Sequence, residues 1–181
     1  HDYDVTTSAL PEEMLKIFEG ARVIETGLQH GTVTVLTEDG PVEVTTYRQD
    51  GVYSDHRHPD GVTFTRCLRE DLARRDFTVN AMAMNGGEVV DLFGGQQDLR
   101  AGVLRCVGEA ERRFEEDALR ILRGLRFASV LGFSLEPATA AALVRQKERL
   151  RSVSAERIRE EFVKLLCGKD APSILKEFSS V

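Results

Sequence analysis

The sequence has no tryptophan, five prolines and three cysteines in 181 residues, and aromatic residues make up only 7%. Cys67, Cys106 and Cys167 lie far apart, with no CxxC pair and no metal-ligand spacing. That excludes a disulfide scaffold and a zinc ribbon, and points to reduced, mostly buried thiols in a cytoplasmic protein. No apolar run nears the ~18 residues that span a bilayer, and no basic segment followed by an apolar one marks a secretory leader. Positive charge is scarce as well: 24 Lys and Arg against 30 Asp and Glu give a net charge of −6. A nucleic-acid partner wants a positive footprint, so such a partner would have to meet a local basic face. What is present is 41% hydrophobic and 30% charged residues, enough to pack the core of one domain, or of one domain and part of a second. The chain opens at His1 rather than Met, with residues of functional type from the second position onward, and it is expected to be a fragment cut at both ends.

Local pattern gives an order of elements. Residues 2–7 (DYDVTT) predict a short strand. Pro11 at an early helical position predicts a helix over 12–18, stopped by Gly20. A short strand at 23–25 follows. Alternation over 32–37 and 42–47, on either side of Glu38-Asp39-Gly40-Pro41, predicts a hairpin, with His30-Gly31 leading into it. Residues 48–65 are polar and rich in Asp, His, Gly and Pro, and read as a long loop of the functional or mobile kind. A helix is expected at 69–75. The apolar stretch 77–84 suits a buried strand or a buried helix equally. A strand at 89–92, a turn at Gly94-Gly95, a helical turn at 96–101 and a strand at 103–107 come next. Beyond Gly108 the texture is helical, over 115–130, 137–150 and 154–167, with another helix starting near 171. The fold class is α+β: a mixed part over 1–108, then an all-α part over 109–181.

Several constellations carry chemistry. Asp2 and Asp4 share one face of a strand. Side by side, two carboxylates repel unless a cation sits between them, so they are either a Mg²⁺ site or an exposed acidic pair. Glu43 lies on the face of Thr45, opposite Val42 and Val44, where it could complete a metal site. Arg74 and Arg75 offer forked donors to phosphate and ribose, or form an ordinary salt-bridged helix end. Asn80, inside an apolar run, reads as a hydrogen-bonded core amide. On the helix from Glu115, Asp117 and Arg120 are i,i+3 neighbours. An acceptor beside a donor fork suits a base edge, and a solvated charged face is the plainer reading. Arg126 points away from Asp117 by about half a turn. Leu119, Leu122 and Leu125 read as core. His56 and His58 are metal ligands or part of a solvated loop. The last helices mix Lys147, Arg149, Arg151, Arg157, Arg159 and Lys164 with Glu148, Glu156, Glu160 and Glu161, a solvated face that could border an RNA groove.

Taken in order, HDYDVTTSALPEE, HGTVTV, VEVTTYR, RRDFTVNAMAMN, VVDLFGG, RFEEDALRILRGLRFASVLGF and SAERIREEFVKLL resemble the class II tRNA nucleotidyltransferase / poly(A) polymerase family. The match covers essentially the whole chain, and RRDFTVNAM and the EDALR helix are its most specific parts. The resemblance implies a polymerase-β-like nucleotidyltransferase head over 1–108, a mixed β-sheet with flanking helices. An all-α neck over 109–181 follows, which selects the nucleotide and begins an RNA-binding region. It implies Mg-dependent, template-independent addition of CCA to the 3′ end of tRNA from CTP and ATP in the cytoplasm, with no membrane and no obligate protein partner. A poly(A) polymerase or a partial CC- or A-adding enzyme is the alternative within the family, and the HGTVTV hairpin and RHPDGVTF segment look more like the CCA type. A nucleotide- or RNA-binding module without turnover is the alternative outside it.

Residue by residue, Asp2 and Asp4 match the metal-binding catalytic aspartates, and Glu43 stands where a third carboxylate sometimes does. Arg74 and Arg75 fall in the motif linked to the nucleotide's sugar and phosphates. Asp117 and Arg120 match the neck pair that reads the Watson–Crick edge, and Arg123 and Arg126 match further basic positions near the nucleotide. Residues 48–65 resemble the head loop associated with the switch from C to A addition. The family's Gly-rich triphosphate-gripping segment precedes the aspartates, and its tRNA-holding body and tail follow the neck. The 181 residues are therefore expected not to catalyse alone.

Overall fold

The computed structural model describes residues 4–51 and 62–181. Asp2, His56 and His58 lie outside the described residues, so the expectations that rest on them find no counterpart here. The described residues gather into two compact units, one running through Gly51 and resuming from 62 to Arg74, the other from Arg75 to Val181.

In the first unit, β1 (Asp4–Thr7) leads to α1 (Pro11–Ile17). Pro11 opens the helix at a position whose N–H would find no helical partner, and the Leu10 N–H donates to Glu13 Oε2 at 2.7 Å. Then come β2 (Arg22–Ile24), a 3-10 turn at Leu28–His30, β3 (Thr32–Thr37) and β4 (Gly40–Thr46). The sheet order is β1-β4-β3-β2, with β1 parallel to β4 and the other pairs antiparallel. β3 and β4 form the hairpin that the alternation predicts. Strand periodicity sorts the side chains by face. Val33, Val35 and Val44 are buried with Met14 of α1 on one face. Asp4, Thr6, Thr32, Thr34, Glu43 and Thr45 share the other.

β5 (Arg48–Asp50) and β6 (Val62–Phe64) pair antiparallel. Both ends of the predicted loop are therefore strand. Three-residue strands as polar as Arg48-Gln49-Asp50 carry no periodicity to detect, and backbone pairing forms them regardless of side chain. α2 (Leu68–Ala73) is capped by Arg74 and ends two residues short of the predicted end.

In the second unit, the apolar stretch 77–84 is neither one strand nor one helix. Phe77 bridges to Cys106, Thr78–Asn80 make a 3-10 turn, and β7 (Met82–Asn85) pairs with β8 (Glu88–Asp91). The buried Thr78 hydroxyl donates to Asp98 Oδ2 at 2.7 Å, which fixes the turn. Asp98 belongs to α3 (Gly95–Ala101). β9 (Val103–Leu104) follows, then α4 (Ala110–Glu116) and α5 (Leu119–Leu131). β10 (Ser134–Leu135) runs parallel to β9 inside the stretch expected to be all helix. α6 (Pro137–Gln146), a 3-10 segment at Lys147–Ser152, α7 (Ala155–Leu166) and α8 (Ala171–Glu177) complete the unit. Its core is one cluster around Phe77, Leu104, Phe114, Ile121, Leu143 and Leu165, and Leu119, Leu122 and Leu125 join it as the sequence predicts. Each such burial is worth about 1.5–3 kcal/mol. Among the described residues, no helix is long and apolar enough to cross a membrane.

Candidate functional site

The parallel register of β1 on β4 sets Asp4 opposite Glu43. Directly opposed residues on neighbouring strands point the same way. The two carboxylates therefore stand together on the polar face, both exposed. Hydroxyls surround them: Thr34 is opposite Glu43, and Thr32 and Thr45 are bonded Oγ1 to Oγ1 at 3.0 Å. Hard oxygen donors of this kind are what Mg²⁺ takes, so the described part of the predicted metal site fits such an ion. Among the described residues no three acidic, His or Cys side chains cluster as a complete metal site.

Arg74 caps the C-terminus of α2. Its Nε and Nη2 both donate to Asp71 Oδ1, at 3.1 and 2.9 Å. The same oxygen accepts the Arg48 N–H at 3.2 Å. Asp71 is fully buried.

In the second unit, Arg75 Nη1 donates to the Asn80 carbonyl at 3.4 Å. The Asn80 amide donates to Asp76 Oδ1 at 3.1 Å, so it is the satisfied core amide the sequence suggests. Asp76 Oδ1 also accepts the Phe77 N–H, while Oδ2 takes Arg123 at 2.7 Å. Arg126 donates to the buried Glu161 on α7, which Arg123 Nη1 approaches to 3.9 Å. The Arg126 guanidinium lies 3.7 Å from the Phe127 ring centre. Two arginines about one turn apart thus converge on one acid, stacked on an aromatic ring.

Asp117 and Arg120 do not lie on one helix, as the i,i+3 reading expected. Asp117 is extended (φ −142°, ψ 108°) and ends α4, and α5 starts at Leu119. The cause is local: Asp117 Oδ1 accepts the Leu119 N–H at 3.0 Å, a side-chain-to-backbone turn that competes with the helix. Nor do the two side chains bond each other. Asp117 Oδ2 takes Arg157 of α7 at 2.9 Å. Arg120 Nη1 donates to Glu116 Oε2 at 2.8 Å and to the Arg113 carbonyl at 3.2 Å.

Asp71, Asp76, Glu116, Arg157 and Glu161 went unsingled in the sequence as partners of these groups. Glu161 and Arg157, four apart on α7, are buried or half-buried, whereas the sequence reading put them on a solvated face. Their spacing alongside Ile158 and Leu165 was a usable signal, because charges on the apolar face of a helix need partners.

The chain matches the family described as Poly A polymerase head domain over residues 1–105, and the Probable RNA and SrmB-binding site of polymerase A over 132–179. It is 54% identical over 179 residues to a CCA-adding enzyme of Lactobacillus delbrueckii subsp. bulgaricus, covering 98% of this chain and 45% of that protein. A CCA-adding enzyme of Enterococcus faecalis is 51% identical over the same length, with 44% of that protein covered. The chain thus spans less than half the length of the curated relatives it matches. The crystal structure of the Bacillus stearothermophilus CCA-adding enzyme in complex with CTP superposes with a TM-score of 0.85 at 46% identity, over 97% of this chain and 42% of that one. A tRNA nucleotidyltransferase complexed with a primer tRNA and an incoming ATP analog gives 0.74 at 29% identity, over 96% of this chain and 50% of that one.

Proposed function

The chain belongs to the poly(A) polymerase head-domain family, and on that premise we propose that it is the head and neck of an enzyme adding C, C and A to the 3′ end of tRNA from CTP and ATP, releasing pyrophosphate. The observation that carries this reading is the β1–β4 register, which stands Asp4 beside Glu43 on an otherwise threonine-rich face, in a chain that matches CCA-adding enzymes along its length. We keep the division of labour at Gly108: residues 1–108 carry the acids, and 109–181 select the base.

Asp2 and Asp4 would hold Mg²⁺, with Glu43 alongside. When bound, the ion supplies a lowered pKa for the attacking 3′-hydroxyl and positive charge for the departing pyrophosphate. Arg74 and Arg75 would supply forked donors for sugar and phosphate oxygens, and Arg123 and Arg126, held by Asp76 and Glu161, are further basic positions that the resemblance assigns to nucleotide binding.

Base choice follows from donor and acceptor order. Cytosine and adenine each present an exocyclic amine next to a ring nitrogen acceptor, whereas uracil and guanine present a carbonyl next to a ring N–H. Asp117 accepts one described donor on each oxygen, which leaves each a second acceptor position. An Asp117 acceptor for the amine and an Arg120 donor for the ring nitrogen suit C and A. Against U or G the Asp117 acceptor would face a carbonyl and the Arg120 donor a ring N–H, and the cost of that mismatch gives the selectivity. The proposed substrate assigns the reaction to the cytoplasm.

The test is Mg²⁺-dependent CTP incorporation by the intact gene product, alone and with Asp2→Ala plus Asp4→Ala. Activity that disappears in the double variant, with the fold kept by circular dichroism, supports the reading. Incorporation that persists without Mg²⁺ or without the aspartates overturns it.

A further inference from the structure

We propose that Asp71 is a positioning residue for nucleotide binding, acting through Arg74. The inference rests on the nucleotidyltransferase reading above and names a member of that site which no motif marks.

Asp71 is 0% exposed, in the middle of a helix whose next residue, Leu72, is equally buried. A carboxylate in such a place costs several kcal/mol unless it is paired and hydrogen-bonded. A hydrophobic residue would fill the position at less cost, so a buried acid retained here suits a role in fixing geometry. The geometry is specific. One oxygen, Oδ1, takes Arg74 Nε and Nη2 together and also the Arg48 N–H. The double donation fixes the plane of the guanidinium, while the Arg48 bond ties the acid to β5. The Arg74 side chain is 21% exposed, so the clamped residue is not sealed in the core as Asp71 is. A lysine at 74 could not be held this way, because its ammonium is a point charge on a flexible stem. A guanidinium set in advance loses less freedom when it meets a phosphate or ribose oxygen, so the loss of Asp71 weakens nucleotide binding more than turnover.

The experiment uses the intact gene product with tRNA ending just before CCA and with CTP, comparing wild type, Asp71→Asn, Arg74→Ala and the double variant. Asp71→Asn keeps an oxygen for the Arg48 and Arg74 donors, so the fold is expected to hold, but removes the charge that makes the hold on the guanidinium strong, and a thermal melt reports whether the fold does hold. The expected result is a KM for CTP raised about tenfold, with kcat within about twofold of wild type and a double variant no worse than Arg74→Ala alone. Additive effects in the double variant, or a lowered melting temperature with KM unchanged, overturn the inference while leaving the activity reading intact. If Asp71→Asn unfolds, Asp71→Glu decides: a raised KM for CTP in a variant that melts as wild type supports the inference, and an unchanged KM overturns it. A wild type that incorporates nothing overturns the activity reading and this inference with it.

Discussion

Arg157 on α7 donates to the Asp117 carboxylate at 2.9 Å, across forty residues of chain. The bond holds the second oxygen of an acid whose first oxygen takes the Leu119 N–H at the break between two helices. With side chains 22% and 15% exposed, the pair is screened less than a surface ion pair would be. If Asp117 reads the base, its orientation matters more than its presence.

Arg157→Ala is therefore expected to loosen nucleotide choice. Incorporation of UTP or GTP relative to CTP should rise about tenfold, with a smaller loss of overall rate. Competition assays on the intact protein measure this ratio. A variant as selective as wild type would detach Asp117 from base choice.

Gly31 illustrates a backbone demand. Its φ is +82°, and a Cβ built there would stand 2.5 Å from Phe64 Cε1. Gly31→Ala combines a left-handed conformation with a clash against the ring, and is expected to destabilise the protein by roughly 1–3 kcal/mol. Urea unfolding followed by circular dichroism reads the shift, and an unchanged midpoint would contradict the close approach of Phe64 to Gly31.

How much of this was legible beforehand can be seen element by element. The hairpin of β3 and β4 was written in its alternation and in Glu38-Asp39-Gly40, so its two faces, including the side on which Glu43 stands, followed from period alone. Pro137 marked the start of α6 in the same way. The break at Asp117 was not legible, because EEDALRIL is a good helical sequence and only the Asp117 side chain turning onto the Leu119 N–H interrupts it. Partnerships were the other blind spot. Asp76 with Arg123 and Asp117 with Arg157 join residues 47 and 40 apart, and sequence spacing reports only neighbours on one element. The register that pairs Asp4 with Glu43 likewise depends on a parallel contact that no local pattern specifies.

Glu136 gives a pH signature. Burial raises its carboxyl, but the N–H groups of Thr139 and Ala138, with Arg105 behind them, hold it below the ordinary 4.5. A lowered carboxylate stabilises the fold above its unfolded value, and that contribution is lost as pH falls through the folded one. Glu136→Gln keeps an acceptor for the Thr139 N–H but loses the charge. The variant is expected to be less stable than wild type at neutral pH, with the difference shrinking below pH 4.5. Melts across pH 3–7 check it, and a constant difference would contradict the account.

The thiols are expected to divide by burial. Cys106 is buried and its pKa pushed up to about 12, chiefly by loss of water around the thiolate. Cys67 and Cys167 are exposed. Titration with a disulfide reagent at neutral pH should modify two thiols promptly and the third only after denaturant is added. Three prompt thiols would place Cys106 outside the core.

The most direct measurement supplies the intact gene product with Mg²⁺ and tRNA ending just before CCA, offers CTP alone, ATP alone and then both, and sizes the products. The account expects addition of CC with CTP and a single terminal A once both are present. Long A tails, a single short step, or no incorporation at all would contradict it.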